Sequence, residues 1–219
     1  MLVSGVVGVG TNSGNITLTN GTLGGGGTLL GPVTIQANGV LAPGSGGIRT
    51  LTISNHLALQ PGSTTIFKIS KSGATNDFIR GLRKLTFGGI LIVTNLAGGL
   101  TTNDTFKLFD ATNYASSFSS LVLPPLNSGL IWSNRLALNG SIMVVKAPSP
   151  LLAFSLTSSN TLWFNWTNAA AYFVLQSQTN SLGAGLSTNW LDYPGGSNPP
   201  VPILPDKNSG SVLFRLISR

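Results

Sequence analysis

The chain has no cysteine, no glutamate and a single histidine among its 219 residues. Without cysteine it can form neither a disulfide framework nor a thiolate metal site. Because His56 stands alone, a histidine-based metal cluster is excluded, and a Ser-His-Asp triad would have to use that one residue. We expect His56 to be an exposed turn residue, and we predict no metal and no cofactor.

Charge of either sign is scarce, at 8% of the residues. Twelve residues are Lys or Arg and all five acids are aspartates, so the net charge of +7 reflects missing acids more than abundant bases. Nucleic-acid binders usually gather basic residues on one face with aromatic residues between them. The nearest approach is Lys68, Lys71, Arg80, Arg83 and Lys84, which we interpret as solvated charges that protect a strand edge. We predict no nucleic-acid partner.

Long apolar runs are also missing. No segment approaches the roughly 18 apolar residues of a membrane helix, so no transmembrane segment is predicted. The first ten residues, MLVSGVVGVG, lack the basic region and the apolar run of a signal peptide. We expect any export signal to lie upstream in a longer parent chain, and the protein to be extracellular or on the outer cell surface.

What the sequence does contain is apolar and small polar residues. Hydrophobic residues make up 42% of the chain and there are 28 glycines, while Ser, Thr and Asn supply most of the polarity. This composition favours an all-β, turn-rich protein over a disordered one. Helical periodicity is absent, and at most a helical turn is expected at residues 115–118.

A repeat runs through the first half. Apolar-Thr-apolar triplets begin at Ile16, Val33 and Leu51, and the turn Leu41-Ala42-Pro43-Gly44 returns as Leu59-Gln60-Pro61-Gly62. Both signals give a period of about 18 residues, and a fixed period is the sequence signature of a solenoid. Short strands bounded by turn residues at this spacing indicate coils of a right-handed parallel β-helix, in which each coil supports its neighbour. The four glycines at 24–27 then form a corner.

Two glycine-rich segments are candidates for nucleotide binding because they partly match known glycine motifs. The run at 24–27 lacks the Gly-Lys-Ser/Thr ending of a phosphate loop, and a strand pattern follows it. The segment 8–13 lacks the third glycine of a dinucleotide fingerprint, and no acidic residue lies about 20 residues further on. Neither motif predicts a cofactor site.

A composition shift at Ala147-Pro148-Ser149-Pro150 predicts a short stiff linker. We therefore predict a β-helix segment over residues 1–146, a linker over 147–150 and a second domain over 151–219. Alternating strands in the second domain favour a small antiparallel β-sandwich of immunoglobulin or fibronectin-III type. The predicted strands are Leu152–Leu156, Thr161–Trp166, Tyr172–Ser177, Trp190–Tyr193 and Val212–Ile217.

Enzyme chemistry finds little support in the acidic residues. Glycosidases need a close carboxylate pair, and Asp104 and Asp110 would lie about 20 Å apart on one continuous strand. A lyase would need Arg80, Arg83 or Lys84 as base beside calcium at Asp77, yet calcium takes several oxygen ligands. We predict no enzyme and no catalytic residue, and we expect Asp104 and Asp110 to cap turns.

Exposed aromatic residues of the second domain are the remaining candidates for a binding site. Trp163, Trp190 and Tyr193 could stack on sugar rings, which makes a polysaccharide or a cell-surface glycan a candidate partner. Trp132 and Trp166 are open to the same interpretation, and we expect at least two of the four tryptophans to lie in a core.

A longer series of motifs extends over roughly residues 20–146. In order, the motifs are Leu41-Ala42-Pro43-Gly44, Leu51-Thr52-Ile53-Ser54, Leu59-Gln60-Pro61-Gly62-Ser63, Asn76-Asp77, Gly88-Gly89-Ile90-Leu91-Ile92-Val93, Asp104-Thr105-Phe106-Lys107-Leu108-Phe109-Asp110, Leu130-Ile131-Trp132 and Leu138-Asn139-Gly140-Ser141. This series resembles the autotransporter-associated β-strand repeat proteins, very large predicted surface proteins of Verrucomicrobia, Planctomycetes and related bacteria. The segment 80–84 is more basic than the family pattern.

The resemblance implies the C-terminal part of a β-helical passenger followed by its terminal β-sandwich, with further β-helix coils upstream in a longer parent. The family has no established catalytic residues to carry over. Our first hypothesis is therefore a non-enzymatic structural or adhesive segment of a bacterial surface protein. The second is a glycan-binding module in the sandwich, and the third is a polysaccharide lyase-like β-helix.

Overall fold

The structure is a computed structural model that describes residues 1–3, 6–7, 14–44, 46–157, 161–167, 173–181, 185–204 and 210–218, with backbone alone for 2–3, 6–7, 167 and 218. The chain divides into two compact units, Met1–Val145 and Lys146–Arg219. The glycine motif at 8–13 lies outside the described residues. Within the described ranges no helix is long and apolar enough to cross a membrane.

Short strands separated by turns make up the first half of unit 1. They are β1 (Leu2–Val3), β2 (Val6–Val7), β3 (Ile16–Leu18), β4 (Gly21–Gly25), β5 (Thr28–Leu29), β6 (Val33–Ile35), β7 (Gly39–Ala42), β8 (Thr50–Ile53) and β9 (His56–Leu59).

Longer strands and one short helix follow. They are β10 (Thr64–Ser70), β11 (Thr75–Asn76), β12 (Phe78–Leu82), β13 (Lys84–Phe87), β14 (Ile90–Asn95), β15 (Thr105–Lys107), β16 (Phe109–Ala111), β17 (Tyr114–Ser116), β18 (Ser120–Val122), β19 (Leu130–Arg135), α1 (Leu136–Asn139) and β20 (Ser141–Lys146).

Three parallel sheets form the faces of a solenoid. Face 1 stacks β1, β4, β7, β10, β14 and β18, face 2 stacks β2, β5, β8, β12 and β16, and face 3 stacks β3, β6, β9, β13 and β17. The chain visits the three faces in turn before it returns to the first, so each circuit is one coil. The predicted parallel β-helix is confirmed.

The predicted 18-residue period holds for one step and is wrong for the next. Ile16 pairs with Val33 and Thr22 pairs with Val40, as the period requires. Val33 then pairs with Leu57, further along the chain, and not with Leu51. Leu51 belongs to β8 on face 2, so the similar triplets and Pro-Gly turns at 41–44 and 59–62 lie on different faces. Sequence similarity here marks every second strand and corner along the chain and not successive coils, because the same short strand and turn recur on different faces.

The core of the solenoid follows from alternation along each strand, since one side chain in two points inward. In the narrow coils, those from β3 to β9, the buried side chains are aliphatic, as at Leu41 and Ile53, which are both 0% exposed. In the later, wide coils phenylalanines enter the core. The ring of Phe109 lies edge-on to Phe67 at 4.9 Å and to Phe87 at 5.5 Å between centroids.

The glycine run at 24–27 begins inside a strand. Gly24 belongs to β4 and pairs with Ala42 of the next coil. Gly25 has a φ of +113°, which turns the chain from face 1 to face 2. The corner predicted for this run is therefore confirmed for its second half.

An antiparallel sheet of β15, β20 and β19 adjoins the last coils. Phe106, Ile142 and Val144 from this sheet are buried in the same hydrophobic cluster as the solenoid core. The expected helical turn at 115–118 is wrong, because Tyr114–Ser116 pairs in parallel with Leu85–Phe87 as strand β17. The helical residues are instead Leu136–Asn139, which end at Gly140 with a φ of +76°.

Unit 2 contains two antiparallel sheets, so the predicted change from parallel to antiparallel strands is confirmed. Sheet E has the order β21-β22-β25 and sheet F the order β24-β23-β26. Phe164, Leu175 and Val201, from both sheets, share one buried cluster. The strands are β21 (Leu151–Leu156), β22 (Leu162–Thr167), β23 (Phe173–Asn180), β24 (Leu191–Asp192), β25 (Val201–Ile203) and β26 (Ser211–Ser218).

Four of the five predicted strands match β21, β22, β23 and β26 closely, and β24 is shorter than expected. Tyr172, the predicted start of the third strand, lies outside the described residues. Strand β25 was missed because Pro202 lies at its centre, and proline removes a backbone donor. It is tolerated because β25 is an edge strand of sheet E.

Candidate functional site

Trp163 lies on the outer side of sheet E. Its neighbours Phe164 and Trp166 alternate with it along β22, and Phe164 is buried in the core while Trp163 is half-buried. Beside it lie Ser155, which pairs with it across β21, and exposed Asn165. These residues line a shallow depression of about 350 Å³ that Pro200 closes on one side. The depression combines one aromatic ring with amide and hydroxyl groups.

Trp190 lies on the opposite side of the sandwich, where its ring is already stacked. The guanidinium carbon of Arg215 lies 4.3 Å from the centre of the indole ring. Arg215 also donates to Gln176 Oε1 from Nε at 3.0 Å and from Nη2 at 2.8 Å. Gln176 in turn donates from Nε2 to Asp192 Oδ1 at 2.8 Å. One face of Trp190 is thus covered by a cation that its own sheet holds in place.

Tyr193 packs against the sandwich core. Its ring lies edge-on to Phe214 with centroids 6.0 Å apart, and it borders the buried cluster that contains Phe164. Trp163 and Trp190 therefore lie on two different outer surfaces of the sandwich, whereas Tyr193 packs against its core. The structure does not bring the three predicted residues together. Sequence reasoning missed two residues beside Trp163: Ser155, which lies opposite it on β21, and Asn165, which lies two residues further along β22.

Asp77 is fully buried and its carboxylate is occupied. Oδ1 accepts from the backbone N–H of Arg49 and Oδ2 from that of Lys68, both at 2.8 Å. The Lys68 ammonium lies 3.1 Å from Oδ2 and also donates to the carbonyl of Gly44. The aspartate thus joins the coil of β7 and β8 to the coil of β10 and β12. These contacts satisfy both oxygens within the protein, where the calcium hypothesis needed them free.

Asp104 and Asp110 are both held by lysines. Asp104 pairs with Lys71 and accepts from the backbone N–H of Thr101 at 2.8 Å, which makes it a turn residue as predicted. Burial would raise the pKa of Asp104, but the hydrogen bonds from Lys71 and Thr101 outweigh it and the pKa is lowered. The hydrogen bond to Asp110, at 2.6 Å, raises the pKa of Lys107 against the opposing effect of desolvation.

Asp104 and Asp110 do not lie on one continuous strand. β15 ends at Lys107 and β16 begins at Phe109, because Leu108 turns inward between them and is 0% exposed.

Four cations lie along face 2 and its two corners. Arg49, Arg80, Arg83 and Lys84 are exposed, and in the described part of the chain none of them forms an ion pair. We call these four residues the basic face. His56 is exposed as predicted, but its predicted place in a turn is wrong, because it is the first residue of β9 and pairs with Lys84 along face 3.

No group of three or more potential metal ligands occurs among the residues that the structure describes. No protein-family model matches the chain. The adhesin BmaC autotransporter of Brucella suis biovar 1 (strain 1330) is 38% identical to it over 82 residues. This similarity covers 36% of the chain and 2% of the adhesin, so the chain corresponds to a very small part of that protein's length.

Proposed function

We propose that the chain is a non-enzymatic structural and adhesive segment of a bacterial surface or secreted protein. The observation that carries this proposal is the stacked parallel solenoid together with the partial similarity to an autotransporter adhesin. A solenoid gives length and an extended, repetitive surface, which suits reach and attachment.

The acidic residues of the solenoid support the non-enzymatic part of the proposal. Asp77, Asp104 and Asp110 each form an ion pair with a lysine; Asp77 also joins two coils, and Asp104 also accepts from a backbone N–H of its turn. A lyase or glycosidase needs carboxylates or bases directed into a cleft. In the described part of this solenoid the carboxylates are already bound by lysines.

We also propose that the chain belongs with the autotransporter-associated β-strand repeat proteins and that further coils of a longer parent continue its sheets. β1, β2 and β3 are the terminal strands of faces 1, 2 and 3, and a coil stacked against them would extend all three. The domain division at 147–150, with an independent sandwich over 151–219, forms part of the same proposal.

Attachment of coated particles tests the adhesive function. Beads that carry the purified chain are passed over epithelial cell layers under flow and compared with albumin-coated beads. Retention of the coated beads is expected; equal retention of both would contradict the proposal. Incubation with polygalacturonate, followed by ultraviolet absorbance of unsaturated uronate, tests the lyase alternative, and a steady rise would establish an enzyme.

A second candidate function is glycan binding by the sandwich, and the depression around Trp163 is the observation that favours it. An exposed aromatic ring offers a sugar ring an apolar platform, and Asn165 and Ser155 beside it offer hydrogen bonds. We restrict this proposal to Trp163, since Trp190 is covered by Arg215 and Tyr193 belongs to the core.

A glycan array tests the second candidate. The wild-type chain is compared with Trp163→Ala and with Trp132→Ala, a half-buried tryptophan of the first unit whose indole N–H bonds to Pro124. Binding that Trp163→Ala removes and Trp132→Ala retains would support the Trp163 site. Binding that both variants retain would exclude it.

A further inference from the structure

We infer that the basic face of the solenoid, formed by Arg49, Arg80, Arg83 and Lys84, binds a linear anionic polysaccharide. This inference deepens the proposed adhesive function by naming a ligand class, and it rests on that function for its biological meaning. It concerns the first unit alone and is separate from the Trp163 depression.

The first argument is the distribution of charge. The solenoid's described aspartates are all paired with lysines at other positions, namely Lys68, Lys71 and Lys107. Asp110 lies in the next coil beside Arg80 and is bound by Lys107, and Asp77, which accepts from the backbone N–H of Arg49, is paired with Lys68. The four cations therefore keep their positive charge uncompensated, and they concentrate it in two adjacent coils.

The second argument is the spacing of the cations. Arg49 lies in the coil of β8, and Arg80 lies one coil above it, about 4.8 Å along the stacking direction. Arg83 follows Arg80 by three residues, at the bend just after the end of β12. The N–H of Arg83 bonds to the carbonyl of Asn55 at 3.1 Å, and Lys84 pairs with His56, which fixes both above the same corner. The result is a row of charges that crosses one face.

The third argument is the surface between the charges. Thr28, Thr52 and Arg80 stack in register on the outer side of face 2, and Thr50 lies on the same side. Arg80 Nε donates to Thr52 Oγ1 at 3.2 Å, so its guanidinium lies along the threonine row. Hydroxyl groups next to fixed cations can hydrogen-bond sugar hydroxyls while the cations bind sulfate or carboxylate groups.

The same surface disfavours other polyanions. Single-stranded nucleic acid is held by aromatic side chains on which bases stack, and the aromatic residue of this face, Phe78, is half-buried and pairs with Thr50. Peripheral membrane binding combines basic residues with apolar side chains that enter the lipid. Apart from the half-buried Phe78, the outer side of face 2 presents Thr28, Thr50 and Thr52 between the cations.

Biosensor binding to immobilised heparin and hyaluronate tests the inference, with neutral dextran, oligothymidylate and phosphatidylglycerol vesicles as comparisons. The chain is expected to bind both anionic polysaccharides and not dextran, and binding should weaken as salt rises above about 0.15 M because exposed charges are screened. Tighter binding to oligothymidylate or to vesicles than to the polysaccharides would overturn the choice of ligand. If the chain bound neither heparin nor hyaluronate, the inference itself would be overturned.

A pair of charge-matched variants locates the site. Arg83→Gln/Lys84→Gln removes two charges from the basic face, and Arg135→Gln/Lys146→Gln removes the same two residue types from positions outside it. The first should lower heparin affinity about tenfold and flatten its salt dependence, while the second should stay within about twofold. Equal losses would mean a general charge effect and would overturn the inference.

Two further readouts separate the possible failures. Arg83→Lys/Lys84→Arg keeps both charges at the altered positions and should restore binding, which excludes a folding defect as the cause. If Arg83→Gln/Lys84→Gln beads adhere as well as wild-type beads, the basic face is not the adhesive site, although the adhesive function stands. If the chain binds heparin but wild-type beads do not adhere, the adhesive function fails and the basic face remains a polysaccharide site.

Discussion

The narrow and the wide coils of the solenoid fill their interiors differently. From β3 to β9 the coils are short, as in the step from Thr22 to its partner Val40, and Leu, Ile and Val fill the core. From β10 to β18 the coils are longer, as in the step from Ile90 to its partner Ser120. Their buried side chains include the phenylalanines Phe67, Phe87 and Phe109. On face 1 the strand lengthens at this point as well, from four residues in β7 to seven in β10.

This difference shows that coil length and core volume change together. Hydrogen bonding fixes the distance between stacked strands, so extra residues in a coil can only lengthen its strands or enlarge its corners. A wider coil encloses more volume, and larger side chains are needed to reach the packing density of a protein interior. The aromatic cluster is therefore a consequence of the longer repeat.

The largest expected effect comes from removing an aromatic side chain from the core of the wide coils. Phe109→Ala should lower the free energy of unfolding by about 3–5 kcal/mol, because the ring contacts Phe67 and Phe87 and leaves a large cavity. The reciprocal change in a narrow coil, Leu41→Phe, should cost about 1–3 kcal/mol through overpacking. Urea unfolding measures both. A Leu41→Phe variant as stable as wild type would contradict the difference in width.

A smaller effect is expected at the corner between β13 and β14. Gly89 has a φ of +65°, and a Cβ there would lie 2.0 Å from the carbonyl oxygen of Ser63 in the coil below. Gly89→Ala should therefore destabilise by about 3 kcal/mol. Gly21 has a similar φ of +86° but open space around it, so Gly21→Ala should cost only about 1 kcal/mol. Equal melting temperatures would show that the corners are not tightly stacked.

Substitution of the buried Asp77 tests the junction between the coil of β7 and β8 and the coil of β10 and β12, where the repeat lengthens. Asp77→Asn keeps one acceptor oxygen for two backbone donors, those of Arg49 and Lys68, and leaves the Lys68 ammonium without its carboxylate. We expect a loss of about 2 kcal/mol in chemical denaturation. Added calcium should change neither variant's melting temperature. Stabilisation of the wild type by calcium would revive a metal role for Asp77.

The smallest effect concerns pH. Because the pKa of Asp104 is lowered in the folded state, its contribution to stability is present above the ordinary aspartate pKa of about 4 and is lost as the pH falls through the lowered value. Asp104→Asn should remove that part of the acid sensitivity of the melting temperature. Asp110→Asn, which alters an exposed pair, is the matched control and should change the acid profile less. Identical profiles for wild type and Asp104→Asn would contradict the assignment.

The fold class could be predicted because solenoid corners leave a strong local trace. Gly, Asn and Pro-Gly turns around triplets such as Val33-Thr34-Ile35 indicate short strands whatever their register. The stacking register could not be predicted, since Leu51-Thr52-Ile53 resembles Val33-Thr34-Ile35 although the two lie on different faces. Register depends on how many residues each corner holds, and corners tolerate insertions at little cost.

The candidate sites were less predictable for a similar reason. Composition alone draws attention to Trp163, Trp190 and Tyr193, but their burial depends on which strands pair and which sheet covers them. The sequence does indicate which side of its strand Trp163 occupies, because Trp163 alternates with the apolar residues Leu162, Phe164 and Trp166. The basic face could be identified only from the structure. Arg49 and Arg80 are far apart in sequence and become neighbours because Thr52 of one coil pairs with Arg80 of the next.

Disulfide trapping tests the stacking register most directly, because the chain has no cysteine of its own. Thr34→Cys/Ala58→Cys places two cysteines on directly paired positions of β6 and β9, where adjacent strands bring the Cα atoms to about 5 Å. Thr34→Cys/Thr52→Cys places them on faces 3 and 2, although the 18-residue repeat would have put them side by side. We predict rapid disulfide formation under mild oxidation in the first variant and none within the monomer in the second. The reverse result would contradict the coil assignment and, with it, the composition of the basic face.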